Sequence, residues 1–136
     1  IELPPELAIS QGHGKVSWNV RSIWEYYSTW FHFESTTELY PLPVRELYPR
    51  LAALARVDKL AQQARIAVDA EQPLVALHYL EIALAEPGNA NRIPLYELRL
   101  RALEQLLATA NRTTGNYSET GWLRSRIDAT RQEIAR

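Results

Sequence analysis

Between Val57 and Ala110, apolar and small residues recur in steps of three and four, and proline or glycine closes each run. That period lines them along one side of an α-helix and excludes the two-residue alternation of a half-buried strand. The spacing predicts a helix over about 57–70, with Leu60, Ala64, Ala67 and Val68 inward, then a turn at Glu71-Gln72-Pro73. A second follows over about 74–86 and buries Leu77, Leu80, Ile82 or Ala83, and Leu84. Pro87-Gly88-Asn89 stops it in the manner of a helix end. A third covers about 94–110, with Leu95, Leu98, Ala102, Leu103 and Leu106 inward. After the loop Thr113-Thr114-Gly115-Asn116, a last helix starts near Ser118 or Glu119 and runs to the end. Upstream, Arg45 to Ala55 reads as helical, with Pro49 marking a restart near its first turn. The predicted fold class is all-α, an antiparallel helical bundle.

The small residues sharpen this. Ala64, Ala67, Ala76 and Ala83 stand where paired antiparallel helices need close approach. The series Ala76, Leu80, Ala83, Pro87 resembles the second helix of a tetratricopeptide unit, with the proline one residue early. The tryptophan and glycine of that unit's first helix are missing, and Ala64 stands at the glycine position. The expectation is a degenerate tetratricopeptide-like helix pair, with a second unit from Pro94 onward. Small-residue helix packing explains the same alanines without repeat ancestry.

At 136 residues the chain suits one domain. A formal net charge of −1 leaves no basic stripe to displace counterions from phosphates, so no nucleic acid is expected as partner. There is no cysteine, which removes disulfides, thiolate metal sites and thiol nucleophiles. No stretch approaches the roughly 18–20 apolar residues of a membrane span. The chain begins at Ile1, contains no Met and ends within a helical pattern, from which a piece of a longer protein is expected. The compartment is left open.

Chemistry is sparse. His13, His32 and His78 are far apart in sequence, and none stands two or four residues from another histidine, so no local metal pair is presented. Three aspartates face thirteen glutamates, and pairs such as Glu97 with Arg101 read as surface decoration. No GxSxG elbow, phosphate-cradling glycine loop or HExxH is present. Two glycosylation sequons, at Asn111 and Asn116, sit where a helix–helix loop favours asparagine in any case. No catalytic, cofactor-binding or metal-binding residue is assigned, and this chain alone is not expected to be an enzyme.

The aromatic run from Trp18 to Phe33 is different. Ser17 reads as its N-cap, and Val20, Ile23, Trp24, Tyr27, Trp30 and Phe31 share one helix face. Tyr40-Pro41-Leu42-Pro43 breaks the helix into an extended link. Trp18, Tyr26 and Phe33 add more aromatic surface than one face buries. Two readings follow: a central core helix, or a helix whose second face packs on another domain or subunit, where Trp, Tyr and Arg are enriched. Trp18, Trp24, Tyr27, Trp30 and Phe31 are the candidate anchors, with Arg21 tying the helix to a carboxylate or carbonyl.

The string Gly14-Lys15-Val16-Ser17-Trp18-Asn19-Val20-Arg21-Ser22-Ile23-Trp24-Glu25-Tyr26-Tyr27-Ser28-Thr29-Trp30-Phe31, followed by Leu39-Tyr40-Pro41-Leu42-Pro43, resembles the start of the alkylsulfatase dimerisation domain. Asn19 and Arg21 match that family's Asn-x-Arg, Tyr26-Tyr27 its aromatic pair, and Trp30-Phe31 its Trp-Phe, while Thr29 replaces a glycine. The lead-in Leu3-Pro4-Pro5-Glu6-Leu7 and the turn Pro87-Gly88-Asn89 are similar too. One departure is His32-Phe33-Glu34-Ser35-Thr36-Thr37, where the family commonly has Asp-Gly-Asn-Pro.

The resemblance implies one helical dimerisation domain over residues 1–136. Residues 1–43 would form the lead-in, aromatic helix and proline-rich link, and 44–136 the stacked helices. It further implies a parent protein in which a metallo-β-lactamase-like catalytic domain carries two zinc ions and hydrolyses sulfate esters. Zinc belongs to that domain, whose His-x-His-x-Asp-His signature is not in this chain. The implied partners are a second copy and the parent's catalytic domain, in a soluble bacterial protein, cytoplasmic or exported. The alternative is a free-standing tetratricopeptide-like module that binds a peptide in a helical groove.

Overall fold

A computed structural model describes residues 14–28, 37, 42–113 and 115–136. Among them every regular element is helical. Helix α1 spans Val16–Ser28. A 3-10 turn at Val44–Leu47 leads into α2, Tyr48–Ala55, which carries Pro49 in its first turn, where no backbone N–H is needed. Then follow α3 (Val57–Asp69), α4 (Pro73–Leu84), α5 (Ile93–Thr113) and α6 (Tyr117–Ala135). Short connections fold α3 back on α4 and α5 back on α6, so two helix hairpins stack in the tetratricopeptide-like manner. The lead-in before Gly14, and the end of the aromatic run from Thr29, lie outside the described residues.

Helix α4 sits at the centre. Its sequence, Pro-Leu-Val-Ala-Leu-His-Tyr-Leu-Glu-Ile-Ala-Leu, is apolar almost all round because α2, α3 and α5 all pack against it. Leu80 is fully buried among Ala52, Leu60, Ala64, Ala83, Leu95 and Leu98. The alanines let the backbones close in around one large side chain. A second cluster joins Ala67, Val68, Ala76 and Ala102, and a third joins Leu103, Ala110, Leu123 and Ile127 between α5 and α6.

The inward residues named for α3 are all buried, as are Leu95, Leu98, Ala102 and Leu103 on α5. On α4, Leu80 is buried, and of Ile82 or Ala83 it is Ala83 that is fully covered. Three others differ: Leu77, Leu84 and Leu106 are only partly buried, whereas Ala76 is fully covered. Leu77 and Leu106 border a groove that no described helix fills. Helix α1 also starts earlier than expected: the amides of Trp18 and Asn19 both donate to the Lys15 carbonyl, which places Ser17 inside the first turn rather than at the cap.

The turn from α3 to α4 needs left-handed backbone. Glu71 adopts φ 55°, its amide donates to Val68, and the Gln72 amide reaches back to Ala67 at 2.8 Å. This is a Schellman closure with glutamate where glycine is the common choice. The Gln105 amide group on α5 donates to the same Val68 carbonyl at 3.0 Å, so α5 clamps the closure from outside. Arg92 similarly donates to the Leu84 carbonyl across the α4–α5 turn.

Helix α6 opens on Asn116, which is fully buried and accepts the Glu119 amide at 2.9 Å. Removing a buried N-cap leaves an orphan donor in a dry place. Asn116→Ala is expected to cost about 1–2 kcal/mol, measured by urea unfolding, whereas Asn116→Asp should retain most of the stability.

Candidate interaction surface

Val20, Ile23, Trp24 and Tyr27 fall at steps of three, one and three, so α1 carries them on one side. The core-helix reading of this face does not hold. Within the chain Trp24 is 63% exposed, Ile23 58% and Tyr27 81%. The period was legible, but among the described residues no helix lies over it. Tyr26 extends the surface, packed edge-on against Tyr27 with ring centroids 5.1 Å apart. Contiguous apolar exposure on one helix is uncommon on a monomer's surface.

The helix is held at its start. Lys15 Nζ lies 2.7 Å from the Glu119 carboxylate on α6, in a partly buried pair, and 5.7 Å from the centre of the Trp18 ring. Trp18 is turned toward the bundle and borders the groove, more covered than the other α1 aromatics. Arg21 does meet a carboxylate, but on its own helix: Nε is 2.7 Å from Glu25 Oε1, four residues on. The hydrogen bond to Glu25, then its charge, raises the Arg21 pKa. Exposed as it is, this pair ties α1 to no other element among the described residues. Trp30 and Phe31 lie outside the described residues, as do His13 and His32, while His78 is exposed on α4.

Surface ion pairs elsewhere join helices. Arg101 pairs with Asp69 on α3 at 2.9 Å rather than with Glu97 of its own helix, and Arg131 joins α6 to Glu104 on α5 at 3.0 Å. Among the described residues no group of three or more histidines, aspartates or glutamates is placed to hold a metal ion. None of their helices is long and apolar enough to cross a membrane.

The groove itself escaped sequence reasoning. It has a volume of about 760 Å³ and runs between α4, α5 and α6, with Leu77, Leu103, Leu106 and Trp122 on its walls. Arg45, Arg99 and Arg126 stand at one side of it, with Glu81 among them. Burial first, then repulsion from Arg126, lowers the Arg99 pKa. The available signal was an arginine directly after buried Leu98, on the flank of an inward stripe.

No curated protein and no solved structure matched the chain. A family model described as alkyl sulfatase dimerisation matches residues 1–133, which takes in the aromatic helix, both helix hairpins and the turns between them. With that match spanning nearly its whole length, the chain belongs to the alkyl sulfatase dimerisation family.

Proposed function

We propose that this chain is the dimerisation domain of a zinc-dependent hydrolase of the metallo-β-lactamase fold, resembling the alkyl sulfatases. Two copies pair through the exposed face of α1, and the domain braces a catalytic domain that lies elsewhere in the parent protein. The supporting observation is the exposed face of Val20, Ile23, Trp24 and Tyr27, while α2 to α6 meet one another in three buried clusters. Trp30 and Phe31 are proposed to extend the same anchor. A twofold pairing presents the same patch from both copies, so each aromatic residue contributes twice. A stable pair needs roughly 1,600 Å² of buried surface in total, more than one 13-residue helix face supplies, so flanking surface must join it.

Zinc in the parent would supply a Lewis acid and an activated water for sulfate ester hydrolysis. The described residues offer no cluster of donors suited to it, and the role of this chain is assembly. Sedimentation over a hundredfold range of concentration tests the pairing. Twice the chain mass is expected at the upper end, with dissociation on dilution. A strict monomer throughout would defeat the proposal for the isolated domain.

A further inference from the structure

Val20, Ile23, Trp24 and Tyr27 stand at positions i, i+3, i+4 and i+7 of α1, the anchor spacing with which an amphipathic helix enters a hydrophobic groove. A groove of that kind lies beside it. Leu77, Leu103 and Leu106 line the space between α4, α5 and α6, with the exposed Leu74 and Trp122 on its rim. Among the described residues no helix fills it. The chain's own α1 does not turn its stripe that way. Lys15 on Glu119 and Trp18 at the rim hold the start of α1 beside the groove. At about 100° per residue, Trp18 stands roughly 140–180° round the helix from Ile23 and Tyr27. With Trp18 toward the bundle, the stripe points away from it and stays exposed.

Area argues for more than contact between two α1 helices. Trp24 and Tyr27 cover about 150–250 Å² each at most, so two copies supply roughly 600–1,000 Å² from them. A stable pair needs roughly 1,600 Å². The groove, with a volume of about 760 Å³, offers apolar walls that close the difference. Charge fits the same occupant. Arg45, Arg99 and Arg126 are met by Glu81 in the groove and by Glu133 in the adjoining hollow, where Tyr96 also acts on Arg99. Little net charge is left for a charged ligand to neutralise. Helix α1 carries one arginine and one glutamate, Arg21 and Glu25, paired with each other. A face without net charge thus meets a groove with little.

We propose that two copies seat α1 in each other's grooves, each laying its stripe of Val20, Ile23, Trp24 and Tyr27 against Leu74 and Trp122 of the other copy. The inference rests on pairing through α1 and names the surface that receives it. The arrangement is twofold, so both grooves fill together. Leu77 and Leu106, only partly buried in one chain, become covered in the pair.

The chain has no cysteine, so single introduced thiols report contacts between copies. Ile23→Cys copies mixed with Leu74→Cys copies should be joined by a short bifunctional thiol reagent, whereas neither variant alone should link to itself. Both positions are exposed in the single chain, and both variants should keep wild-type helicity by circular dichroism. Trp122→Ala should weaken pairing at least tenfold by sedimentation. Ile66→Ala, exposed on α3 and away from the groove, should pair as wild type. Links among Ile23→Cys copies with none to Leu74→Cys copies, in a chain that still pairs, would set α1 against α1. That result overturns the groove assignment and leaves pairing through α1 intact. Undiminished pairing in Trp122→Ala would overturn it as well. A wild-type chain that stays monomeric at every concentration defeats both readings.

Discussion

Leu80→Ala is expected to remove about 3–4 kcal/mol of folding stability. Leu80 is fully buried at the middle of α4, and three of the six buried residues in its cluster are alanines, Ala52, Ala64 and Ala83. Alanines cannot rotate into a vacated space, and the helices bearing them already approach closely. The cavity therefore stays open, which keeps the loss above the lower end of the range for buried leucines. Urea unfolding at one fixed protein concentration measures it, since any self-association adds concentration-dependent stability. The midpoint should fall while the slope stays constant. Leu54→Ala, on α2 but 83% exposed, should change stability by less than about 0.5 kcal/mol. Equal losses in the two variants would mean that the core is not centred on α4.

Trp24→Ala is expected to act in the opposite way, leaving the folded monomer intact and weakening self-association roughly 30-fold or more. Central tryptophans in interfaces commonly account for at least about 2 kcal/mol on truncation, and each 1.4 kcal/mol is a factor of ten. Trp24 is 63% exposed within the chain, so its removal opens no cavity in the three buried clusters. The two effects separate cleanly by measurement: sedimentation reads the dissociation constant, and unfolding at low concentration reads the monomer. A variant that pairs as tightly as wild type but unfolds more easily would return Trp24 to the core and defeat the anchor assignment. Ile23→Ala, on the same face, should move association in the same direction by a smaller amount.

The two variants also separate what the residue pattern conveys from what it does not. Helix α3 was legible residue by residue, and α5 at every named inward position but Leu106, because each alternates an apolar stripe with a charged one and each is closed by recognisable turn residues. The α6 stripe was not. Its buried positions are Thr120, Leu123, Ile127 and Thr130, so half of it is polar by composition. Those threonines bury their hydroxyls by bonding to carbonyls of their own helix, Thr120 to Tyr117 at 3.3 Å and Thr130 to Arg126 at 2.8 Å. A satisfied hydroxyl packs like a small apolar group, but no hydropathy pattern reveals that it is satisfied.

Charge behaved likewise. Spacing alone suggested Glu97 for Arg101, and the fold assigned Asp69 from another helix. The three arginines of the groove come from positions 45, 99 and 126, on the 3-10 turn, α5 and α6. Nothing along the chain brings them together.

By itself the sequence determined an all-helical chain, the inward stripes of α3 and α5, the turns between them and the aromatic helix that links the chain to its family. These follow from local period and turn chemistry, which act over a few residues. The tertiary structure alone decided what covers each stripe. It wrapped α4 on several sides, left the α1 face of Ile23, Trp24 and Tyr27 open, and gathered cations around a groove. A three-and-four period says that residues share a face; whether that face meets the chain's own core or a second molecule depends on where the other helices pack.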